Sequence, residues 1–418
     1  MTSERIEADY LIETAFDPRS AAEVMAGEQS SGTFVTVPGE TAELKARAAA
    51  CVERIETVGL VETPSLPGAR QAEGAMITWA KVTLSWPLAN IGASLPNLMA
   101  TLAGNLFELQ QLSGLRILDI RLPAAFAAAY PGPKFSIEGT RRLTGIERRP
   151  LIGTIIKPSV GLSPQQTADL VATLCEAGID FIKDDELQSD SPACPFEDRV
   201  RAVMAVILRH AERSGRKVMY AFNVTGDLDQ IRRRHDYVLA REGSCVMASL
   251  NSVGVVGMIE LARHTRLPIH AHRNGWGYLS RHPMLGWSFT AWQKIWRLAG
   301  IDHLHVNGLR NKFCESDESV ITSARSCLTP LFPEKPCLAM PVFSSGQSAR
   351  QVPDTFAAIA STDLIYAAGG GILAHTNGAA GGVRSIRQAW EAAMSGVSLE
   401  CYAREHDDLA AALRSFAA

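Results

Sequence analysis

From Leu151 onward the chain repeats one alternation: a short β-rich run, then a longer stretch with helical spacing. The runs are LIGTIIKP, FIKDDE, VMYAFNVTG, CVMASLNS, PIHAHRN, HLHVNG, LAMPVF and LIYAAGGGIL, most of them separated by helical sequence. In SPQQTADLVATLCEAG, Ser163 suits the N-cap, Pro164 the first helical position and Gly178 the stop. FEDRVRAVMAVILRHAERSG reads as a further helix. Eight βα units in about 250 residues predict a (β/α)8 barrel, a fold whose sites gather at the C-terminal strand ends. The polar residues of this region fall there: Lys157, Lys183 to Glu186, Asn223, His270 to Asn274, His303 to Asn307, Ser344 and the run from Gly369.

The preceding region is mixed. EADYLIET alternates as a strand, AELKARAAACVERIE reads as one helix, and AKVTLSWPL as a strand again. Between the two regions, residues 129–150 carry Pro131, Pro133, glycines and a basic cluster, the composition of a linker. The expectation is an α/β protein with an N-terminal α+β domain over residues 1–135 and a barrel over 136–418. Hydrophobic residues make up 46% of the 418 and charged residues 20%, which excludes a disordered chain. The net charge of -3 supplies no field toward nucleic acid or an anionic membrane, so neither is an expected partner. No two of the eight cysteines form a CxxC pair, so zinc ribbons and redox dithiols lack support. MTSERIEADY lacks the apolar core of a secretory signal, and no apolar stretch reaches the ~18 residues of a membrane span. A reduced, cytoplasmic setting is expected.

Chemistry concentrates in a few strings. In Lys183-Asp184-Asp185-Glu186, strand alternation puts Lys183 and Asp185 on one face, and Glu186 can turn in at the strand end. Two carboxylates suit a hard cation such as Mg²⁺, and the lysine fits beside them as their ion-pair partner or as a CO₂-derived carbamate. A solvated strand end with a helix cap is the plainer alternative. His270-Ala-His272-Arg273 and His303-Leu-His305 each place two histidines on one face. Such a pair can ligate zinc, form a cationic phosphate pocket with the arginine, or serve as hydrogen-bonded core. Gly369-Gly370-Gly371 offers backbone N–H groups to an anion, and Ser344-Ser345-Gly346 strengthens a phosphate reading. Lys157 precedes a proline at the first strand end, where a lysine can carry protons. Lys312, in NGLRNKFCES, carries little signal alone.

Together these strings resemble the large subunit of RuBisCO, and more narrowly the RuBisCO-like proteins of form IV, over most of the chain. GTIIKPSVGLS, FIKDDE, HAHRN, DHLHVNGLRNK, PVFSSG and AAGGGILAH follow in the family's order and spacing. YPGP and RRPLIGTIIKP resemble its interdomain link, and GEQSSGTFVTV and LAGNLFELQQL the segments that carry site residues across the dimer interface. The resemblance implies that Lys183 is carbamylated by CO₂ and binds Mg²⁺ with Asp185 and Glu186, while Lys157 protonates the carbanion. It implies one phosphate on Arg273 and His305, and another phosphate or anion on Thr33, Gly346, Gly369 and Gly370. His272 and Ser344 would lie near substrate hydroxyls. Lys312 would hold a carboxylate from a mobile loop, Glu28 would be its acidic partner from the other subunit of a homodimer or larger homo-oligomer, and Asn105 would lie near the metal.

The departures point away from carboxylation of ribulose bisphosphate. Ser159 stands for the family's second lysine, Phe34 for a tryptophan, Trp276 for the second histidine of HRxxH, and NGLRNKFCES for GTVVGKLEG. The metal and enolate machinery remains. The resemblance therefore implies a Mg²⁺-dependent lyase acting through an enediolate on a phosphorylated sugar acid or ketose. Decarboxylation of 3-oxo-isoapionate 4-phosphate in carbohydrate catabolism is the favoured reaction, because Lys312 and Glu28 keep a carboxylate anchor that an enolase does not need. The alternatives are a methylthio-sugar-phosphate enolase or isomerase, a non-catalytic phosphosugar-binding protein, and, disfavoured by the strand on which HxH falls, a zinc hydrolase.

Overall fold

The computed structural model describes residues 4–32, 35, 37–70 and 74–416. Its strands are β1 (Arg5–Thr14), β2 (Cys51–Val61), β3 (Ile77–Pro87), β4 (Gly114–Arg121), β5 (Leu151–Ile155), β6 (Phe181–Lys183), β7 (Met219–Asn223), β8 (Cys245–Ser249), β9 (Ile269–His272), β10 (Leu285–Trp287), β11 (His303–Asn307), β12 (Met340–Phe343) and β13 (Ile365–Ala367). The chain forms two compact units. One runs through residue 131 and takes in Gly275–Leu298; the other holds Gly132–Asn274 and everything from Ala299.

The first unit is built on a five-stranded sheet in the order β10-β4-β1-β3-β2. In β1 the alternation of EADYLIET is realised through Ile12: Ile6, Ala8, Tyr10 and Ile12 are fully buried, Glu7, Asp9 and Leu11 partly exposed, and the strand ends on the buried Glu13 and Thr14. The stretch read as a single helix divides. A seven-residue helix, Ala42–Ala48, ends before Cys51, and the remainder is β2, paired antiparallel with β3 from Cys51 opposite Ser85 to Val61 opposite Ile77. Apolar residues at 52 and 55 fit helical and strand spacing alike, and the ladder offered by β3 decides between them. The other surprise is β10. It lies deep within the barrel portion of the sequence, yet pairs in parallel with β4, Leu285 opposite Leu115 and Trp287 opposite Ile117. Arg116 secures it by donating from Nη1 to the carbonyls of Ser280, His282 and Leu285 at 3.0, 2.9 and 3.1 Å. The tryptophans at 276 and 292 pack at 4.8 Å between ring centroids.

The second unit is a closed barrel of eight parallel strands, in the order β11-β12-β13-β5-β6-β7-β8-β9, with helices between them as the alternation predicts. Ser163 caps Pro164–Glu176 in a reciprocal capping box with Gln166, and Gly178 takes a left-handed φ of 77°. Leu151, Phe181, Met219, Ala221, Cys245, Met247, Met340, Val342, Ile365 and Ala367 share one buried core. A Cβ at Gly153 would stand 3.0 Å from the Phe181 ring, so the glycine there makes room for the phenylalanine. The stretch read as a linker contains a nine-residue helix, Ser136–Thr144. Asp302 accepts from the backbone of Phe135 and Ser136, both at 2.7 Å, and from Ile269 at 2.8 Å, while Ile137 enters the barrel core. Prolines and basic residues mark that segment, but its apolar residues are enough to dock one helix face. No helix among the described residues is long and apolar enough to cross a membrane.

Candidate active site

At the end of β6, successive side chains part company. Lys183 is fully buried; its Nζ donates to the Asp184 carbonyl at 2.7 Å and lies 3.8 Å from the Glu186 carboxylate. Burial pulls its ammonium below the usual lysine range, and the acids around it only partly oppose this. Asp184 faces away, into a closed network. It accepts from Tyr220 Oη at 2.6 Å, from the Asn223 backbone at 2.9 Å, and from the buried Arg199 guanidinium at 3.2 Å. Asp185 turns back to the Lys183 side. Its Oδ2 accepts from Lys157 Nζ at 2.6 Å and its Oδ1 from the Leu187 N–H at 3.1 Å. Burial pushes this carboxyl up, but the Lys157 and Leu187 hydrogen bonds and the Lys183 charge outweigh it and hold the group below its ordinary value. Lys157 also donates to Ser159 Oγ at 2.8 Å, so the residue that replaces the expected second lysine orients the first.

Histidines stand on β9 and β11. Glu186 lies 3.4 Å from His272 Nε2. His305 meets His270 through their Nε2 atoms at 2.8 Å and Ser344 Oγ through Nδ1 at 3.0 Å. His303 spends its Nε2 on Thr140 at 2.8 Å. Burial holds all four rings below the ordinary imidazole value, His272 at about 4 and His303 at about 3. At neutral pH the rings are uncharged, and two of them share one proton in a hydrogen bond.

Beyond β11, residues 308–316 form the segment that carries Lys312. Its backbone N–H donates to the Ser345 carbonyl at 3.2 Å, and its exposed ammonium stands 5.2 Å from the centre of the Phe313 ring. Gly346 has φ 89°, which accounts for the glycine there. The glycine run splits by role. A Cβ at Gly371 would run into the Gln347 carbonyl, whereas one at Gly370 would meet nothing within 4 Å. Packing explains Gly371 and leaves Gly370 open to a ligand. In the first unit, Asn105 Nδ2 donates to Glu28 Oε1 at 3.0 Å on an exposed surface, and Thr33 lies outside the described residues.

The barrel thus gathers Lys157, Lys183, Asp185, Glu186 and His272 into one chain of contacts, with His305 and Ser344 in a second. Two features escaped the sequence. The Asp184–Arg199–Tyr220 network was signalled only by Asp184 falling on the opposite face of β6. Glu315 had no signal beyond standing three residues after Lys312. It accepts from Arg273 Nη2 at 2.5 Å and from Asn307 Nδ2 at 2.6 Å.

Lysine and paired acids at the mouth of an eight-stranded barrel, in a chain that also carries an N-terminal domain with a mixed sheet, define a family. The profile of the ribulose bisphosphate carboxylase large chain matches through its catalytic domain over residues 136–416 and its N-terminal domain over 6–126, and the chain belongs to that family. Within it, the chain is 58% identical over 411 residues to the 3-oxo-isoapionate-4-phosphate transcarboxylase/hydrolase of Xanthobacter autotrophicus, covering 98% of this chain and 99% of the relative. It is 45% identical over 413 residues to the 3-oxo-isoapionate-4-phosphate decarboxylase of Rhizobium etli, with 98% of both covered. Among solved structures, a rubisco-like protein from Burkholderia fungorum superposes with a TM-score of 0.93 at 51% identity, over 99% of this chain and 100% of the other. A dimeric archaeal Rubisco from Hyperthermus butylicus gives 0.85 at 29% identity, over 99% and 96%.

Proposed function

We propose that this chain breaks the bond between a β-keto sugar-acid phosphate and its carboxylate, with 3-oxo-isoapionate 4-phosphate as substrate and CO₂ as product. The observation that carries the reading is the Lys157 ammonium, held 2.6 Å from Asp185 at the barrel mouth beside the buried Lys183. Two near full-length relatives named for this substrate support it. When CO₂ leaves, the bonding electron pair stays on carbon as an enediolate. Lys157 is placed to give that carbon its proton.

The donor set fits Mg²⁺. Asp185 and Glu186 supply carboxylate oxygens, and Lys183, its ammonium destabilised by burial, is suited to lose a proton and bond to CO₂. The resulting carbamate would replace a cation with a third anionic oxygen ligand. Bound there, Mg²⁺ would stabilise negative charge developing on the substrate's keto oxygen. His272 and Ser344 orient hydroxyls, while Gly346, Gly369 and Gly370, with Thr33, take the phosphate. Lys312 holds the carboxylate before it departs, steadied by Glu28 of a second copy in a homodimer, and Asn105 keeps Glu28 in place. The setting is the cytoplasm.

A second reading has its own support. The relative that is 58% identical is named a transcarboxylase/hydrolase, so the carboxyl group is transferred and retained rather than released. One assay separates the two: substrate labelled with ¹³C in the carboxylate. Label emerging as bicarbonate is the expected result, label kept in an acid product selects transfer and hydrolysis, and no turnover refutes both.

A further inference from the structure

Arg273 is 5% exposed and follows β9 directly. A buried guanidinium is an anion receptor, and this one has an internal anion. Glu315, with 13% of its side chain exposed, sets Oε2 at 2.5 Å from Arg273 Nη2 and 2.6 Å from Asn307 Nδ2. Its other oxygen accepts from Ser319 Oγ at 2.8 Å. Asn307 in turn takes a left-handed φ of 64° and accepts from Ser345 Oγ at 2.9 Å, which aims its amide at the carboxylate. A guanidinium, an amide and a hydroxyl converging on one carboxylate are the donors that would otherwise cradle a phosphate.

We infer that Glu315 fills an anion position of the barrel mouth from within, so that the site accepts substrates with a single phosphate and discriminates against bisphosphates. The inference rests on the phosphosugar reading for its substrate class, and it places the one phosphate on the Gly346 and Gly369–Gly370 side. A second phosphate would have to displace this ion-paired carboxylate or share the Arg273 charge with it, with like charges in contact. Glu315 does a second thing. It stands three residues after Lys312, so the ion pair roots the segment carrying that lysine.

The test is phosphate stoichiometry and sugar-phosphate preference in wild type, Glu315→Gln and Glu315→Ser. Gln removes the charge and keeps the shape; Ser also vacates the space. Inorganic phosphate is measured by equilibrium dialysis with ³²P, and ribulose 5-phosphate and ribulose 1,5-bisphosphate by calorimetry, with melting curves to confirm folding. Wild type is expected to bind one phosphate and Glu315→Ser two. The bisphosphate is expected to gain ~10-fold over the monophosphate in both variants, relative to wild type. If Glu315→Ser does not fold, the Gln variant's preference ratio decides alone. Two phosphates on wild type, or one on a folded Ser variant with an unchanged ratio in Gln, overturns the inference and leaves the phosphosugar reading standing. None on wild type and one on Ser overturns the phosphosugar reading and supports the filled position. None on either overturns both.

Discussion

Replacing Lys157 by Met separates chemistry from packing, because the two losses differ in size. The Lys157 side chain is 44% exposed, and an ion pair this open stabilises by only ~0–1 kcal/mol. Asp185, 2% exposed, keeps the Leu187 N–H and the Lys183 charge after the substitution. The melting temperature is therefore expected to fall by no more than ~2–4 °C. Removing a positioned proton donor, by contrast, costs ~10²–10⁴-fold in rate, or ~3–5 kcal/mol of barrier. Substrate binding should survive, since Lys157 acts after the carbon–carbon bond has broken. The assay runs the variant in D₂O and follows CO₂ and deuterated product separately. CO₂ release can outlast product formation if protonation alone is lost. Unimpaired, stereospecific deuteration by Lys157→Met would show that another group is the acid. A collapse in melting temperature would show that the lysine holds the structure rather than the proton.

Chelation with EDTA should abolish turnover, Mg²⁺ should restore it, and preincubation with bicarbonate should raise it; full activity of Lys183→Ala in EDTA would end the metal assignment. Acid should destabilise the fold. His270, His303 and His305 have folded pKa values depressed by burial, so their stabilisation is complete above the unfolded value near ~6.5 and is lost as pH falls. Asp302, raised to about 6 by burial, opposes them with one proton. Stability is therefore expected to fall as pH drops below ~6.5, and a flat denaturation profile from about pH 7 to 4 would contradict it. Gly370→Ala should leave melting unchanged and weaken phosphate binding, whereas Gly371→Ala should destabilise by ~1–3 kcal/mol through its clash with Gln347. Equal effects of the two on melting would remove the ligand argument for Gly370.

Much of the barrel was legible because its signals are local. Ser163, Pro164 and Gly178 bracket a helix by backbone chemistry alone, and the β-rich runs that alternate with helices give all eight strands. The N-terminal region was harder. CVERIETVGLV becomes a strand only because β3 lies beside it, a partner some thirty residues away whose pairing no window reveals. Contact residues in the site divide in the same way. Lys183 and Asp185 follow from period-two alternation, and Asp184 follows from the same rule by exclusion. Arg273 could be found as a cation but not as a neutralised one, because Glu315 reaches it across 42 residues of sequence.

The strand β10 ties the two units together in time. Ribosomes deliver the first 131 residues early, but the sheet they build lacks its fifth strand until Leu285–Trp287 emerges. At about 5–20 residues per second that wait lasts roughly 10–30 s, during which the edge of β4 is open. Five of the eight barrel strands, β5 to β9, are synthesised in the interval, before the chain supplies the missing edge and then resumes the barrel with β11. A gene cut at the apparent linker would therefore yield two fragments that are each wrong: a sheet with a bare edge, and a barrel trailing an orphaned tryptophan-rich insert. The interruption makes the pair heritable only as a whole.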